Sequence, residues 1–234
     1  MSFDSAIIHW PTVASFVEYL TSVPRPSWCT SICNHNTYRP NEYQWRGIAS
    51  MRSMQATYVA KGWTSGPHLF LAAQAPNPAT QGIWQMTPIT HPGTHAGPCN
   101  AHYLGIESVG DYEARPPTEL QYHLMLAINR AILKHWNIPY TSVVVHNECM
   151  EGRICPGQYL TGDQIRADLA PPTWAARVAG LPVYERADRT GALWGHLDPG
   201  QHVVIDDLSN GHIAQVDGVP AAIGFVDIKG LESV

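Results

Sequence analysis

The hydrophobic and polar positions of this chain switch between two periods. Val13, Phe16, Val17 and Leu20 recur at three- and four-residue spacing, which predicts a short amphipathic helix from Pro11 to about Tyr19, closed by Pro24 and Pro26. The segment SWCTSICNHN that follows reads as a strand. Asn41, with Gln44 three residues on, has the form of a helix cap, and Trp45, Ile48, Met51, Gln55 and Val59 then repeat at helical spacing up to Gly62, placed as a C′ residue. HLFLAA and GIWQMTPI read as strands, and their separation by QAPNPATQ predicts a β-ribbon with a long turn. HYLGIESVG predicts a further strand.

The clearest helix follows Pro116-Pro117. Thr118 stands as its cap with Gln121 three residues on, and Leu120, Leu124, Ala127, Ile128, Ala131 and Ile132 form one apolar stripe. SVVVH then reads as a buried strand ending in a histidine, and TGDQIRADL carries a second Thr-x-x-Gln cap and a short helix. Strands alternating with helices predict an α/β domain, a mixed central β-sheet flanked by helices. After Leu169 the texture changes. APPTWAARVAG is a Pro/Ala-rich connection, and the short β-like pieces beyond it are punctuated by Gly191, Gly195, Pro199-Gly200, Asn210-Gly211 and Gly218. Turn signals at such intervals predict a small all-β barrel. The boundary falls at 170–176, giving a first domain over residues 1–170 and a second over 176–234.

Composition narrows the partners. Net charge is −5, so the basic footprint that phosphate neutralisation requires is missing and no nucleic-acid partner is expected. Nowhere do about 18 apolar residues run together, so no membrane span is expected. The start MSFDSAIIHW has an aspartate and no Lys or Arg before its short apolar stretch, which makes a poor export signal. The chain is therefore expected to be made in the cytoplasm without a visible signal peptide. Five cysteines is an odd number, which leaves at least one thiol unpaired. Cys29 and Cys33, on one extended strand, would lie roughly 13 Å apart, too far to bridge. Cys29, Cys33 and Cys99 are expected to be reduced and buried.

Three residues outside these patterns carry metal chemistry. His146 at the end of a buried strand presents an imidazole at the rim of the sheet. Cys155, held by Pro156-Gly157 in a turn, can return to the same place as a thiolate. His35 ends a second strand as His146 ends the first. Two imidazoles and one thiolate are ligands that zinc favours, and a fourth tetrahedral position is left for water. The plainer alternatives are a loop histidine and packed side chains. His146-Asn147-Glu148 also matches the H-x-E of a zinc deaminase, but the P-C-x-x-C that should follow is absent.

CNHNTYRP, KGWTSGPHLFLA, THAGPCNAHYLGIESVGDYE, PTELQYHLMLAINRAIL, VVVH and RICPG, in that order, resemble the zinc-dependent N-acetylmuramoyl-L-alanine amidases, a family that includes the peptidoglycan recognition proteins. The resemblance covers roughly residues 28–169. It implies that His35, His146 and Cys155 hold Zn2+ and that peptidoglycan is the substrate. The bond cut would join the lactyl group of N-acetylmuramic acid to L-alanine of the stem peptide. Glu107 in LGIESVG matches the catalytic glutamate of the cytoplasmic branch, whereas the tyrosine of the phage branch falls where this chain reads Gly66-Pro67-His68. Arg153 stands where many relatives have lysine; always protonated, it can stabilise an oxyanion but not shuttle a proton. His68 and His95 match positions lining the substrate groove.

LPVYERAD, LDPGQHVVI and GFVDIKGL in the tail resemble bacterial SH3 modules, which implies a wall-binding domain. Two rivals stay open: a peptidoglycan-binding protein of the same fold without catalysis, and a cell-wall cysteine peptidase. The favoured reading is an endolysin or autolysin that acts on the wall after release from the cell.

Overall fold

In the computed structural model residues 7–170 are described in full, and beyond them only the backbone of strands. The chain divides into two compact units, Met1–Leu169 and Ala170–Val234. The first holds strands β1 (Ile8–Trp10), β2 (Ser31–Asn36), β3 (Leu69–Ala72), β4 (Gly82–Gln85), β5 (Tyr103–Ser108) and β6 (Val144–Val145). They form one sheet in the order β1-β4-β3-β5-β2-β6. β4 runs antiparallel to β1 and β3, while β3, β5, β2 and β6 are mutually parallel, so the sheet is mixed as expected.

Side chains alternate across such a sheet, so strand register decides which residues share a face. One face collects Ile32, Leu104, Ile106, Leu69, Leu71 and Ile83, all fully buried. Helices α1 (Val13–Thr21) and α3 (Glu119–Trp136) cover it with Phe16, Leu20, Met125, Ile128, Ile132 and Trp136. The opposite face carries His35, Glu107, Phe70 and Trp84, paired in that order across β2, β5, β3 and β4. Helix α2 (Ile48–Ala60) packs there through Met51 and Met54, and with Trp45, Phe70, Trp84 and Met86 makes a smaller second core.

Several expected elements shift. The Asn41–Gln44 cap exists, with Asn41 Oδ1 accepting from the backbone N–H groups of Tyr43 and Gln44, but it closes only a turn. Gly47 follows with φ of +57°, a conformation that breaks the helix, and α2 starts at Ile48. The stripe shifts with it: Ile48 and Val59 are exposed, while Met51 and Met54 turn inward. On α3 Thr118 caps Gln121 N as predicted, yet the Gln121 side chain donates to Leu71 O and accepts from Ala73 N, tying the helix to β3. Leu120 is 62% exposed, and the buried stripe includes Met125, Ile128, Ile132 and Trp136. The strand before His146 is only two residues long, and His146 begins a short helix, α4 (His146–Cys149), instead of ending the strand. Helix α5 (Gly162–Leu169) closes the unit, with Gln164 N donating to Thr161 Oγ1.

The second unit is an antiparallel array of β7 (Thr173–Ala176), β8 (Leu181–Tyr184), β9 (Leu193–Leu197), β10 (His202–Asp207), β11 (His212–Val216), β12 (Val219–Pro220), β13 (Phe225–Val226) and β14 (Leu231–Ser233). Their order is β14-β7-β10-β11-β13-β8-β9, with β12 paired to β11. The expected SH3-like character of this tail lies outside the described residues. Among those residues no helix is long and apolar enough to cross a membrane.

Candidate metal centre

The site is built at the carboxyl ends of the parallel strands, the usual place for a site in such a sheet. On β2, Asn34 faces α3, where it and Asn129 exchange amide hydrogen bonds at 3.1 and 3.0 Å, fully buried. That reciprocal pair fixes the strand and turns its neighbour His35 to the other face. His146 is set by the cap of α4. Glu148 Oε2 accepts from Val145 N at 2.9 Å, and both Glu148 oxygens accept from the Arg166 guanidinium at 3.0 and 2.9 Å. Arg166 also donates to Val143 O. Cys155 is returned by a loop in which Asn147 N donates to Cys155 O at 3.0 Å. Gly157, at φ +110°, packs against the Tyr112 backbone, where a Cβ would come within 2.3 Å.

These supports bring all three expected ligands together. His35 Nδ1 lies 3.1 Å from His146 Nδ1 and 3.7 Å from Cys155 Sγ, and the three donor atoms fall within 4.8 Å of one another. Ligands at ordinary Zn–N and Zn–S lengths around a tetrahedral ion stand about 3.3 Å apart for two nitrogens and about 3.6 Å for nitrogen and sulfur. The donor set and its spacing therefore fit zinc. Burial, then the nearby histidines, hold the His35 imidazolium well below its usual range, so the ring is neutral and a lone pair is available. Burial and the charge of Arg153 lower His146 as well. Burial pushes the Cys155 thiol up to about 12, with Glu107 adding to the rise. A bound cation would reverse that order and hold the thiolate.

Glu107 sits in register with His35 and is 8% exposed. Burial pushes its carboxyl up to about 8, and Oε2 has no hydrogen-bond partner among the described residues. Arg153 is exposed, with Nε donating to Met150 Sδ at 3.0 Å, and its charge acts on both His146 and Cys155. His68 is fully buried with both ring nitrogens engaged: Nδ1 accepts from Gly105 N at 2.9 Å and Nε2 donates to His91 O at 2.9 Å. Both nitrogens of His68, expected at the substrate groove, are thus committed to backbone groups. His95 likewise turns inward, 3.0 Å from His35 Nε2.

A sequence profile described as N-acetylmuramoyl-L-alanine amidase (Amidase_2) matches residues 25–158. The chain belongs to that family. Among solved structures, N-acetylmuramoyl-L-alanine amidase LysC from Clostridium intestinale URNW is similar at 22% identity, over 62% of this chain and 86% of that one, with a TM-score of 0.50. Peptidoglycan recognition protein-LE in complex with tracheal cytotoxin is similar at 17% identity, over 62% of this chain and 83% of that one, also with a TM-score of 0.50. At such identities these two show the shared fold. No curated protein matches the chain.

Two features of this family member escaped the sequence. Cys99 is not reduced: it forms a disulfide with Cys149 across a separation of 50 residues, joining the 3-10 turn Gly97–Ala101 to the end of α4. Spacing cannot reveal such a pair, because α3 and the strand after it lie between the two cysteines and only their packing brings the sulfurs within reach. Cys29 and Cys33 are free and buried as expected. Tyr58 of α2 is the second. Its ring packs against Gly66, where a Cβ would come within 2.9 Å of Cδ2, and stacks on Trp63 at 5.3 Å. Burial, then the charges of Glu107 and Cys155, suppress ionisation of its phenol.

Proposed function

We propose that the chain is a zinc-dependent N-acetylmuramoyl-L-alanine amidase that hydrolyses the amide between the lactyl group of N-acetylmuramic acid and L-alanine in peptidoglycan. The observation that carries this reading is the convergence of His35 Nδ1, His146 Nδ1 and Cys155 Sγ beside a buried carboxyl, Glu107, in a chain of this family. His35, His146 and Cys155 would hold the ion, which when bound supplies Lewis-acid chemistry: an acidified water and a polarised carbonyl. Glu107 takes the proton from the attacking water and returns it to the departing L-alanine nitrogen. Its site favours proton exchange near neutral pH, since a carboxyl raised to about 8 by burial binds a proton readily, and a neighbouring cation draws that value down. Arg153, exposed and with its charge acting on both His146 and Cys155, would stabilise charge that develops on the carbonyl oxygen.

Three rival readings meet specific obstacles. Glu148, the acidic residue of the H-x-E match, is committed to the α4 cap and to Arg166, so it is not available as a deaminase acid–base. A cysteine peptidase needs a thiolate made accessible by a protonated histidine. Here burial raises Cys155 and keeps His35 neutral, the opposite of that pairing. A binding protein without catalysis would have no use for the buried carboxyl next to the three ligands.

We further read the tail, from its resemblance to SH3 modules, as a tether that raises the local concentration of wall substrate. The enzyme would then act on the wall after release, as an endolysin or autolysin does. Digestion of purified peptidoglycan with and without a chelator, followed by mass analysis, tests the reaction. Stem peptides beginning with free L-alanine are expected, and only without chelator; cuts within the stem or between sugars would overturn the assignment.

A further inference from the structure

We infer that His95 is a positioning residue for the metal site, holding His35 in the tautomer whose Nδ1 lone pair faces His146 and Cys155. The inference rests on the ligand set proposed above and adds a residue to its support. Counting protons along a chain of contacts gives it. Tyr103 O can only accept, and it lies 2.9 Å from His95 Nε2, so that nitrogen carries the hydrogen. A neutral imidazole has one N–H, which leaves His95 Nδ1 as an acceptor. His35 Nε2 stands 3.0 Å from it and must donate. His35 then has its lone pair on Nδ1, the atom 3.1 Å from His146 Nδ1 and 3.7 Å from Cys155 Sγ.

The ring of His95 is itself held in place. Its backbone N–H and that of Ala96 both donate to Asn100 Oδ1, at 2.8 and 2.7 Å. The ring lies flat over β5 at Gly105, where a Cβ would come within 2.6 Å of His95 Cγ, so only glycine leaves room. It meets His35 edge-on, with ring centroids 5.1 Å apart and planes at 88°. Ligand histidines that donate their second nitrogen to a fixed acceptor bind metal about 10- to 100-fold more tightly than those that do not. Here the acceptor is another histidine, anchored in turn by a strand carbonyl.

A second arrangement of the same atoms is the rival. Cys33, His35 and His95 also offer ligand atoms within 4.8 Å of one another, with His35 Nε2 3.0 Å from His95 Nδ1, and could grip an ion instead. The experiment separates the two. The zinc affinity of the full chain is measured by competition with a chromophoric chelator for the wild type and for His95→Phe, His95→Gln, Cys33→Ser and Cys155→Ser. His95→Phe is expected to weaken zinc about 10- to 100-fold. His95→Gln, which restores an acceptor, should recover part of the loss. Cys33→Ser should leave the affinity unchanged, and Cys155→Ser should lower it far more than His95→Phe does. Imidazole 15N shifts of the zinc-loaded wild type should show His35 protonated at Nε2.

Zinc affinity within twofold of wild type in His95→Phe would overturn the inference, as would a His35 proton on Nδ1 or a loss in Cys33→Ser equal to that in Cys155→Ser. Tight binding with the expected pattern but no hydrolysis of peptidoglycan would leave His95 in its role and remove only the proposed activity.

Discussion

Along β2, Ile32 and Asn34 point to the α1/α3 side of the sheet, and Cys33 and His35 point to the α2 side; the two sides do different work. The first is a continuous apolar layer whose central polar group, the Asn34–Asn129 pair, is closed upon itself. The second gathers His35, His68, His95 and Glu107 from separate parts of the chain, beside a smaller core rich in Met and Trp. Buried groups there stay neutral through burial and mutual proximity, and the Glu107 Oε2 oxygen has no hydrogen-bond partner among the described residues. A single hydrogen-bonded ladder thus lets a rigid hydrophobic layer hold an assembly of costly polar groups that could not hold itself.

The contrast can be broken at either face. Cys155→Ala removes a proposed ligand from the chemical face, and hydrolysis of peptidoglycan should fall by more than about a thousandfold. Its urea midpoint in zinc-free buffer should stay near wild type, because the α1/α3 layer is untouched. Glu107→Gln should lower kcat by about 10²–10⁴-fold while zinc content stays the same, as read by turnover and metal analysis side by side. Full turnover in this variant would remove the proposed base and leave the ligand set standing.

On the other face, Asn129→Leu leaves the Asn34 amide buried without its partner. A cost of about 1–3 kcal/mol in urea unfolding is expected. Zinc affinity should stay within about twofold if the faces are as separable as the geometry indicates; a tenfold loss would show that the amide pair is needed to hold His35 in place.

The smallest effect concerns pH. Burial holds His68 down to about 3 and His95 to about 4, below the value near 6.5 of an unfolded chain. Between those limits the unfolded chain binds the extra protons. The stability they contribute is therefore complete above pH 6.5 and declines as pH falls, by about 1.4 kcal/mol per unit for each histidine. Glu107 works in the opposite sense, because its raised value keeps a proton on the folded chain between about 4.5 and 8. Zinc-free protein should lose stability from pH 7 to 5, and the slope should steepen in Glu107→Gln. Urea titrations at each pH check this, and a flat profile would contradict it.

Much of the first unit could be read from the chain, because its signals are local. Thr118 before Gln121, the Thr161–Gln164 cap and the ribbon around QAPNPATQ rest on contacts within a few residues, and each is present. Where the reading slipped, a distant contact had overruled a local pattern. Thr80 and Trp84 crowd Gly47 and delay α2, and β3 takes the Gln121 side chain that would have completed a cap.

The order of motifs was enough to single out His35, His146 and Cys155 as expected ligands, since ligand types and their sequence context survive without coordinates. Only the tertiary structure could decide that His68 is closed, that His95 turns toward His35, and that Cys99 meets Cys149. The physical reason is that a side chain's chemistry is fixed by its covalent identity, whereas its protonation, tautomer and partner depend on atoms brought near by folding from 50 or more residues away.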